Sequence, residues 1–206
     1  MSTVILADGL FPVHPEPLRI LAAADRVVCC DGAALKLSTA GREPDWIAGD
    51  LDSVPEELKI RFAARLVHNP DQESNDLAKA FQFCLERGFT DRLVILGATG
   101  LREDHTLGNI ALLADFARLV PDIEMVTDCG IFSAALQSGE FAARTGQQIS
   151  LFSFDPEMDI SSEGLRYPLR RLKLRRWWQA ALNEAAGDRF HLEFSGSSPV
   201  LIYRAF

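Results

Sequence analysis

The chain has 206 residues, of which 48% are hydrophobic and 24% charged, and its formal net charge is −8. Such a composition supports a buried core and excludes a disordered or fibrous protein. No apolar run reaches the roughly 18 residues of a membrane-spanning helix, and Asp8 interrupts the apolar stretch near the N-terminus. We therefore expect a globular cytoplasmic protein with no membrane partner.

Charge is distributed unevenly along the chain. Residues 1–127 carry 20 acidic and 12 basic side chains, whereas residues 128–206 carry nine of each. An acidic surface attracts cations and repels phosphate backbones, so nucleic acid is not an expected partner. The four cysteines form no C-x-x-C pair, and we expect all of them to be small buried apolar side chains: Cys29, Cys30, Cys84 and Cys129.

Residues 1–127 alternate short β-branched runs with amphipathic segments, which predicts an α/β, parallel-sheet, Rossmann-like N-terminal domain. The predicted strands are residues 3–7, 26–30, 46–48, 66–68, 93–96 and 123–127. The predicted helices lie near residues 16–24, 33–40, 55–64, 75–87 and 105–119. In such a sheet, the functional groups follow the carboxyl ends of the strands.

Residues 128–206 have a different pattern, with short alternating segments between Gly, Pro and Ser and no long helix. This predicts an all-β sandwich domain, with strands at residues 149–154, 169–174, 189–194 and 200–204. Six of the eleven residues 166–176 are basic, and Trp177 and Trp178 follow them. They could form a nucleic-acid surface, but the alternation of leucines with basic residues favours a half-exposed strand, and the tryptophans favour packing or dimer contacts.

Two acidic loops follow predicted strands. In an extended segment Asp50 and Asp52 would point the same way and offer oxygen ligands to Mg²⁺, although Asp, Gly and Ser are also common in turns. Asp76 and Lys79 share a helix face, so a metal ligand and a phosphate-binding ammonium could project together. The alternative there is simple helix capping.

A third loop, residues 97–109, combines glycines with Arg102 at the start of a predicted helix. Glycine lets backbone N–H groups approach an anion, and arginine binds phosphate oxygens. The alternative is a strand end followed by a capped helix. Since all three loops follow strands of one parallel sheet, they can converge on one crevice. The sequence contains no P-loop, G-x-G-x-x-G, G-x-S-x-G or H-E-x-x-H motif.

Taken in order, these segments resemble the thiamine pyrophosphokinase family. The matching segments are residues 31–33, 49–53, 71–72, 76–80 and 97–109, with residues 163–169 and 183–184 resembling the second-domain signature. The resemblance implies a nucleotide-binding catalytic domain at residues 1–127 and a thiamine-binding β-sandwich at residues 128–206. It also implies a homodimer that uses Mg²⁺ and ATP to convert thiamine to thiamine diphosphate, releasing AMP.

The resemblance also implies roles for individual residues. Asp50, Asp52 and Asp76 would be catalytic metal ligands. Lys79 and Asp104 would act in catalysis, with Asp76 or Asp104 as the proton acceptor. The residues near ATP and its phosphates would be Asp31, Gln72, Asn75, Thr99, Gly100 and Arg102. Tyr167 and Asn183 would contact thiamine.

Two positions depart from the family pattern. Leu101 stands where many members have a glycine, and Leu182 stands where a serine is usual. Three alternative functions stay open at this point: a pyrophosphokinase of another alcohol such as a pterin, a non-catalytic thiamine sensor, and a phosphatase that uses residues 50–54 as a D-x-D-x-V nucleophile loop. The phosphatase is disfavoured because its motif would come late, after two βα units.

Overall fold

The computed structural model describes residues 1–206, which divide into two compact units. The first unit comprises residues 1–116 and 122–128, and the second comprises residues 117–121 and 129–206. None of the helices has the length and apolar character needed to span a bilayer.

The first unit contains six strands and five helices. The strands are β1 (Ser2–Leu6), β2 (Arg26–Cys30), β3 (Trp46–Gly49), β4 (Leu66–His68), β5 (Arg92–Leu96) and β6 (Glu124–Val126). The helices are α1 (Pro15–Ala23), α2 (Ala33–Thr39), α3 (Glu56–Arg61), α4 (Asp76–Glu86) and α5 (Glu103–Ala117), and a 3₁₀ turn spans Ala63–Arg65. These elements confirm the predicted alternation, with ends shifted by a few residues.

All six strands are parallel and lie in the order β6-β5-β1-β2-β3-β4. A Rossmann sheet has the order 3-2-1-4-5-6, so this sheet differs by carrying a third strand beyond β1 on the β2 side. The strand order reverses between β1 and β5. In open parallel sheets, the crevice at such a reversal is where ligands bind.

The loops that follow β1 and β5 are joined by backbone hydrogen bonds. Ala7 N donates to Leu96 O at 2.8 Å, and Gly9 N donates to Gly97 O at 2.7 Å. A side chain at Gly9 would collide with the carbonyl oxygens of Gly97 and Thr99, so only glycine permits this approach. The two loops therefore form one rigid edge of the crevice.

Helix α4 shows why the predicted pattern succeeded. Asn75 caps it, with Oδ1 accepting from Ala78 N at 2.9 Å. Its apolar residues recur at helical spacing and are buried against the sheet: Leu77, Ala80, Phe81 and Cys84. This packing fixes the first turn of α4, and with it Asp76 and Lys79, beside the strand ends.

The second unit is a sandwich of two antiparallel sheets. Its strands are β7 (Gly130–Ala135), β8 (Gly139–Ala142), β9 (Gln148–Ser153), β10 (Asp159–Glu163), β11 (Leu172–Lys173), β12 (Ala180–Glu184), β13 (Arg189–Phe194) and β14 (Val200–Ala205). Within the unit, the strand orders are β12-β9-β14-β7 and β11-β10-β13-β8. The core between them includes Leu151, Ile160, Phe190, Leu192 and Ile202, which confirms the predicted sandwich.

Several sequence predictions for this unit were wrong or incomplete. The predicted strand at residues 169–174 shrinks to β11, because Arg171 has a left-handed φ of 49° that interrupts the extended backbone. Strands β7, β8, β10 and β12 were not predicted, since they are short and rich in Gly, Ala and Ser. Basic residues of this region form ion pairs, for example Arg171 with Asp159 at 2.9 Å and Lys173 with Glu157 at 3.0 Å.

The prediction for the cysteines holds for three of four. Cys29, Cys30 and Cys84 are buried, and burial raises the pKa of the Cys84 thiol to about 12. Cys129 is exposed, so the prediction was wrong there. It precedes β7 in the connection between the two units, outside any apolar strand face.

We expect Gly130→Ala to lower the thermal midpoint by about 5–10 °C, equivalent to roughly 2–4 kcal/mol. The added Cβ would collide with the Arg204 carbonyl oxygen and lie 2.8 Å from the Tyr203 ring, so β7 and β14 must separate. Gly139→Ala in β8 is the matched control, because its Cβ would meet nothing within 4 Å. Equal midpoints for the two variants, measured by circular dichroism, would contradict the β7–β14 register.

Candidate active site

A cavity of about 390 Å³ opens at the carboxyl ends of the parallel strands in the first unit. Its walls come from the loops after β1, β3, β4 and β5 and from the first turns of α4 and α5. The lining residues include Ala7, Asp8, Gly9, Cys30, Asp50, Ser53, Gln72, Asn75, Asp76, Lys79, Thr99, Leu101, Arg102, His105 and Asn109. The three predicted loops therefore do converge on one crevice.

Three carboxylates meet beside this cavity, and two of them, Asp50 and Asp76, line it. Asp31 follows β2, Asp50 follows β3 and Asp76 begins α4, and their nearest oxygens all lie within 4.8 Å of one another. Gly49 makes this possible, because a Cβ there would lie 2.7 Å from Asp31 Oδ1 and 3.1 Å from Asp76 Oδ1. Three hard oxygen donors at this spacing form a group that could hold a divalent cation.

Asp31 is the buried member of the carboxylate group, with 2% of its surface exposed. Its oxygens accept backbone hydrogen bonds from Leu51 N at 2.9 Å and Ser53 N at 3.2 Å. Burial first, and then the charges of Asp76 and Asp50, raise the pKa of Asp31 to about 6 against the lowering effect of the two N–H groups. Without a cation, this carboxyl holds its proton to an unusually high pH.

The side chain of Lys79 lies beside the carboxylate group. The residue is 5% exposed, and its Nζ lies 3.4 Å from Asp76 Oδ1 and 3.5 Å from Asp50 Oδ2. Burial by itself would lower the pKa of Lys79, but the two carboxylates outweigh it and the pKa is raised. Lys79 is therefore charged and faces the cavity.

The structure does not bring Asp52 into the carboxylate group. Leu51 has a left-handed φ of 65°, so residues 50–52 are not extended and the two aspartates do not point the same way. Asp50 Oδ1 instead accepts from Asp52 N at 3.2 Å, and Asp52 Oδ1 accepts from Ser53 Oγ at 2.9 Å. The backbone at residues 50–52 therefore turns, as the alternative prediction for this loop held. The third carboxylate of the group is Asp31.

Arg102 and Asp104 pair with each other in the loop after β5. The guanidinium of Arg102 donates to the Asp104 carboxylate through Nη2 at 2.6 Å and Nε at 3.1 Å. Both side chains are exposed, and only Arg102 lines the cavity. The pairing, with help from His105 N, lowers the pKa of Asp104 to about 2. A carboxylate this acidic is a weak base, which counts against Asp104 as the proton acceptor.

Of the remaining predicted nucleotide residues, Gln72, Asn75 and Thr99 line the cavity and Gly100 lies beside it. Gln72 is exposed, and Thr99 follows β5 beside Gly100, whose φ of 90° requires glycine. Asn75 Nδ2 donates to Asn109 Oδ1 at 3.1 Å, and Asn109 Nδ2 donates to Ala98 O at 2.9 Å. Asn109 was quoted in the sequence resemblance but given no role; its amide ties the start of α4 to the loop after β5.

In the second unit, Asn183 fixes the backbone of Tyr167. Asn183 is 4% exposed; its Oδ1 accepts from Tyr167 N at 3.1 Å, and its Nδ2 donates to Tyr167 O at 2.7 Å. The Tyr167 ring is exposed, with the Arg166 guanidinium 5.7 Å from its centroid. Leu182 is also exposed and has a left-handed φ of 57° at a bulge in β12.

Comparison with known families matches the two parts of the chain separately. The family model described as "Thiamin pyrophosphokinase, catalytic domain" matches residues 18–126, more than half of the chain. The model described as "Thiamin pyrophosphokinase, substrate-binding domain" matches residues 130–203. The chain belongs to the thiamine pyrophosphokinase family.

Individual relatives agree with this membership. The chain is 29% identical over 161 residues to Thiamin pyrophosphokinase 1 of Caenorhabditis elegans, an alignment that covers 71% of the chain and 65% of that relative. It therefore spans just under two thirds of that relative's length. It is also 29% identical over 147 residues to Thiamine pyrophosphokinase of Bacillus subtilis (strain 168), covering 68% of each.

A solved structure of Thiamin pyrophosphokinase from Geobacillus thermodenitrificans superposes with a TM-score of 0.79 at 25% identity, covering 100% of the chain and 98% of that structure.

In a buffer free of divalent cations, we expect Asp31 to make the folded protein less stable as pH rises from about 4 to about 6. The unfolded carboxyl loses its proton near its ordinary pKa of 3.8, whereas the folded one holds it to about 6. The unfolded state thus binds fewer protons in this window, and stability falls as pH rises, by up to about 3 kcal/mol.

The measurement compares thermal midpoints of the wild type and Asp31→Asn across pH 4.5–7.5 with EDTA present. Because the amide does not titrate, the wild-type midpoint should fall relative to the variant as pH rises through this window. A constant difference between the two proteins would show that Asp31 has an ordinary pKa.

Proposed function

We propose that this chain is a Mg²⁺-dependent thiamine diphosphokinase, which transfers pyrophosphate from ATP to the hydroxyl of thiamine and releases AMP. The observation that carries this proposal is the meeting of three carboxylates and the buried Lys79 beside one cavity, which Asp50, Asp76 and Lys79 line, within a chain that matches both domains of the family. No observation favours the pterin, sensor or phosphatase alternatives.

The proposed reaction is an in-line displacement at the β-phosphorus of ATP. The thiamine hydroxyl oxygen forms a bond to this phosphorus, the bond to the oxygen bridging the α- and β-phosphates breaks, and AMP leaves with that oxygen. Such a transfer needs the reactants to be positioned and the phosphate charge to be stabilised, with little covalent chemistry by the protein. Lys79 supplies a fixed positive charge in a partly dehydrated site.

The carboxylate group fits the Mg²⁺ that the family resemblance implies. Asp31, Asp50 and Asp76 would hold the ion through hard oxygen ligands, and the pKa of Asp31 is raised by burial and by the two neighbouring carboxylates, both of which a bound cation would offset. Asp52 joins this set only if its side chain rotates away from Ser53. When bound, Mg²⁺ supplies Lewis-acid stabilisation of the phosphate oxygens.

The cavity wall would bind the rest of the nucleotide. Arg102 would exchange its exposed partner Asp104 for phosphate oxygens. Gln72, Asn75, Thr99 and Gly100 lie on the loops that would surround the phosphates. Asp76 would accept the hydroxyl proton, or Asp104 once Arg102 has released it, because the pairing with Arg102 is the main cause of the low pKa of Asp104.

Residues 128–206 would bind thiamine. Asn183 fixes the backbone of Tyr167 through two hydrogen bonds, and the exposed Tyr167 ring offers its π-face to the cationic thiazolium, a contact worth about 0.5–2 kcal/mol.

We also propose a cytoplasmic homodimer. Trp178 and Leu182 are 74% and 71% exposed, as is typical of residues that become covered in an interface.

The direct test incubates the protein with ATP, Mg²⁺ and thiamine and separates the products by chromatography. We expect AMP and thiamine diphosphate in equal amounts, with no inorganic phosphate. AMP formation that is independent of thiamine, or release of phosphate, would contradict the proposal. The same reaction with a pterin alcohol as acceptor serves as the specificity control.

We expect Lys79→Met to lower kcat at least 100-fold, because the substitution removes the only lysine beside Asp50 and Asp76 and the charge that stabilises the moving phosphoryl group. The matched control is Lys59→Met, whose ammonium forms an exposed i,i+3 pair with Glu56 at 3.9 Å. Initial rates at saturating substrates measure both. A Lys79→Met rate close to that of Lys59→Met would remove Lys79 from the mechanism.

A further inference from the structure

Asp8 lines the cavity directly after β1, at the point where the strand order reverses. None of the roles described above uses it. The carboxylate is partly exposed to the cavity, with 42% of its side chain accessible. It lies outside the three-carboxylate group. A carboxylate at this point of an open parallel sheet is placed to contact a bound ligand.

Lys36 of α2 holds Asp8 in a fixed orientation. Its Nζ lies 2.7 Å from Asp8 Oδ1 and donates to two backbone oxygens of the same loop, Asp8 O at 2.9 Å and Gly9 O at 2.8 Å. The ammonium therefore contacts three oxygens of the loop after β1. Lys36 neutralises the charge of Asp8 and anchors its backbone at the same time.

Gly32 provides the space that the second oxygen of Asp8 occupies. A Cβ at Gly32 would lie 2.6 Å from Asp8 Oδ2. The backbone of Gly32 is nevertheless helical, with φ −59° and ψ −18°, a conformation that any residue adopts. A side chain at Gly32 would therefore force the Asp8 carboxylate to move, although the backbone itself would accept one. Oδ2 accepts no hydrogen bond from the protein and is available to a ligand.

The chemistry of this acceptor selects its ligand. A carboxylate repels phosphate oxygens, and one whose charge is balanced by Lys36 is a poor competitor for a metal ion. It does accept hydrogen bonds from hydroxyl groups. Asp8 is joined through the Gly9–Gly97 hydrogen bond to the loop that carries Thr99 and Arg102, so it lies on the same edge of the crevice and is placed to contact the same nucleotide.

We propose that Asp8 binds a ribose hydroxyl of ATP, and that Lys36 and Gly32 are the positioning residues that hold its carboxylate. The inference rests on the proposed function for the identity of the nucleotide. It predicts that the site recognises the sugar as well as the phosphates.

The first experiment measures binding of a nonhydrolysable ATP analogue and of its 2′-deoxy and 3′-deoxy forms by calorimetry. We expect the wild type to bind one deoxy form 10- to 100-fold more weakly, and Asp8→Ala to bind all forms equally weakly. Equal affinity of the wild type for all three forms would overturn the proposal. Discrimination between the sugars that persists in Asp8→Ala would also overturn it. So would a loss of this discrimination with an inosine analogue, which lacks the amino group of adenine.

The second experiment tests positioning through steady-state kinetics. Gly32→Ala and Lys36→Met should each raise the KM for ATP about fivefold or more, with a smaller effect on kcat and on the KM for thiamine, and Lys36→Arg should restore most of the affinity. Gly187→Ala is the matched control, because its Cβ would meet nothing within 4 Å. An unchanged KM for ATP in Gly32→Ala, or a change confined to thiamine, would refute the assignment.

The calorimetric binding experiment does not depend on catalytic turnover. A wild type that discriminates between the sugars but produces no thiamine diphosphate would contradict the proposed function and leave the Asp8 assignment standing. A wild type that produces thiamine diphosphate without discriminating between the sugars would contradict the Asp8 assignment and leave the proposed function standing. Thermal midpoints of all variants establish that each one is folded.

Discussion

The repulsion between carboxylates at the ends of parallel strands is the constraint on which the rest of the site depends. Asp31, Asp50 and Asp76 meet within 4.8 Å, where like charges cost several kcal/mol, about 4 at 4 Å for an effective dielectric constant of 20. The protein meets this cost partly with Lys79, buried against two of the three, and partly by leaving Asp31 protonated to a higher pH. This imbalance is why we propose that the group holds a divalent cation.

The same constraint explains features that lie behind the carboxylates. Gly49 must lack a side chain so that Asp31 and Asp76 can approach, and Leu51 adopts a left-handed conformation so that its N–H reaches Asp31. Left-handed backbone at a non-glycine residue costs about 1–2 kcal/mol. The fold thus spends stability to assemble the acidic group, as enzymes commonly do where chemistry is performed.

On the opposite edge of the cavity, charge is balanced rather than concentrated. Asp8 is paired with Lys36, and Arg102 is paired with Asp104. The loops that carry these two pairs are joined by the hydrogen bonds between the loops after β1 and β5, so this edge of the cavity is close to neutral whereas the carboxylate edge is acidic. This asymmetry suits a nucleotide that carries a cation at its phosphate end.

Local periodicity and the chemistry of loop residues were enough to predict the alternation of strands and helices in residues 1–127, the sandwich of residues 128–206 and the loops that carry the acidic and basic groups. They could not predict that Asp31, and not Asp52, is the third carboxylate of the group, because one left-handed residue, Leu51, redirects the side chain that follows it. The pairing of Lys36 with Asp8, 28 residues apart, and the strands β7, β8, β10 and β12 were likewise visible only in the folded chain. Those features depend on contacts between distant segments, which no local pattern encodes.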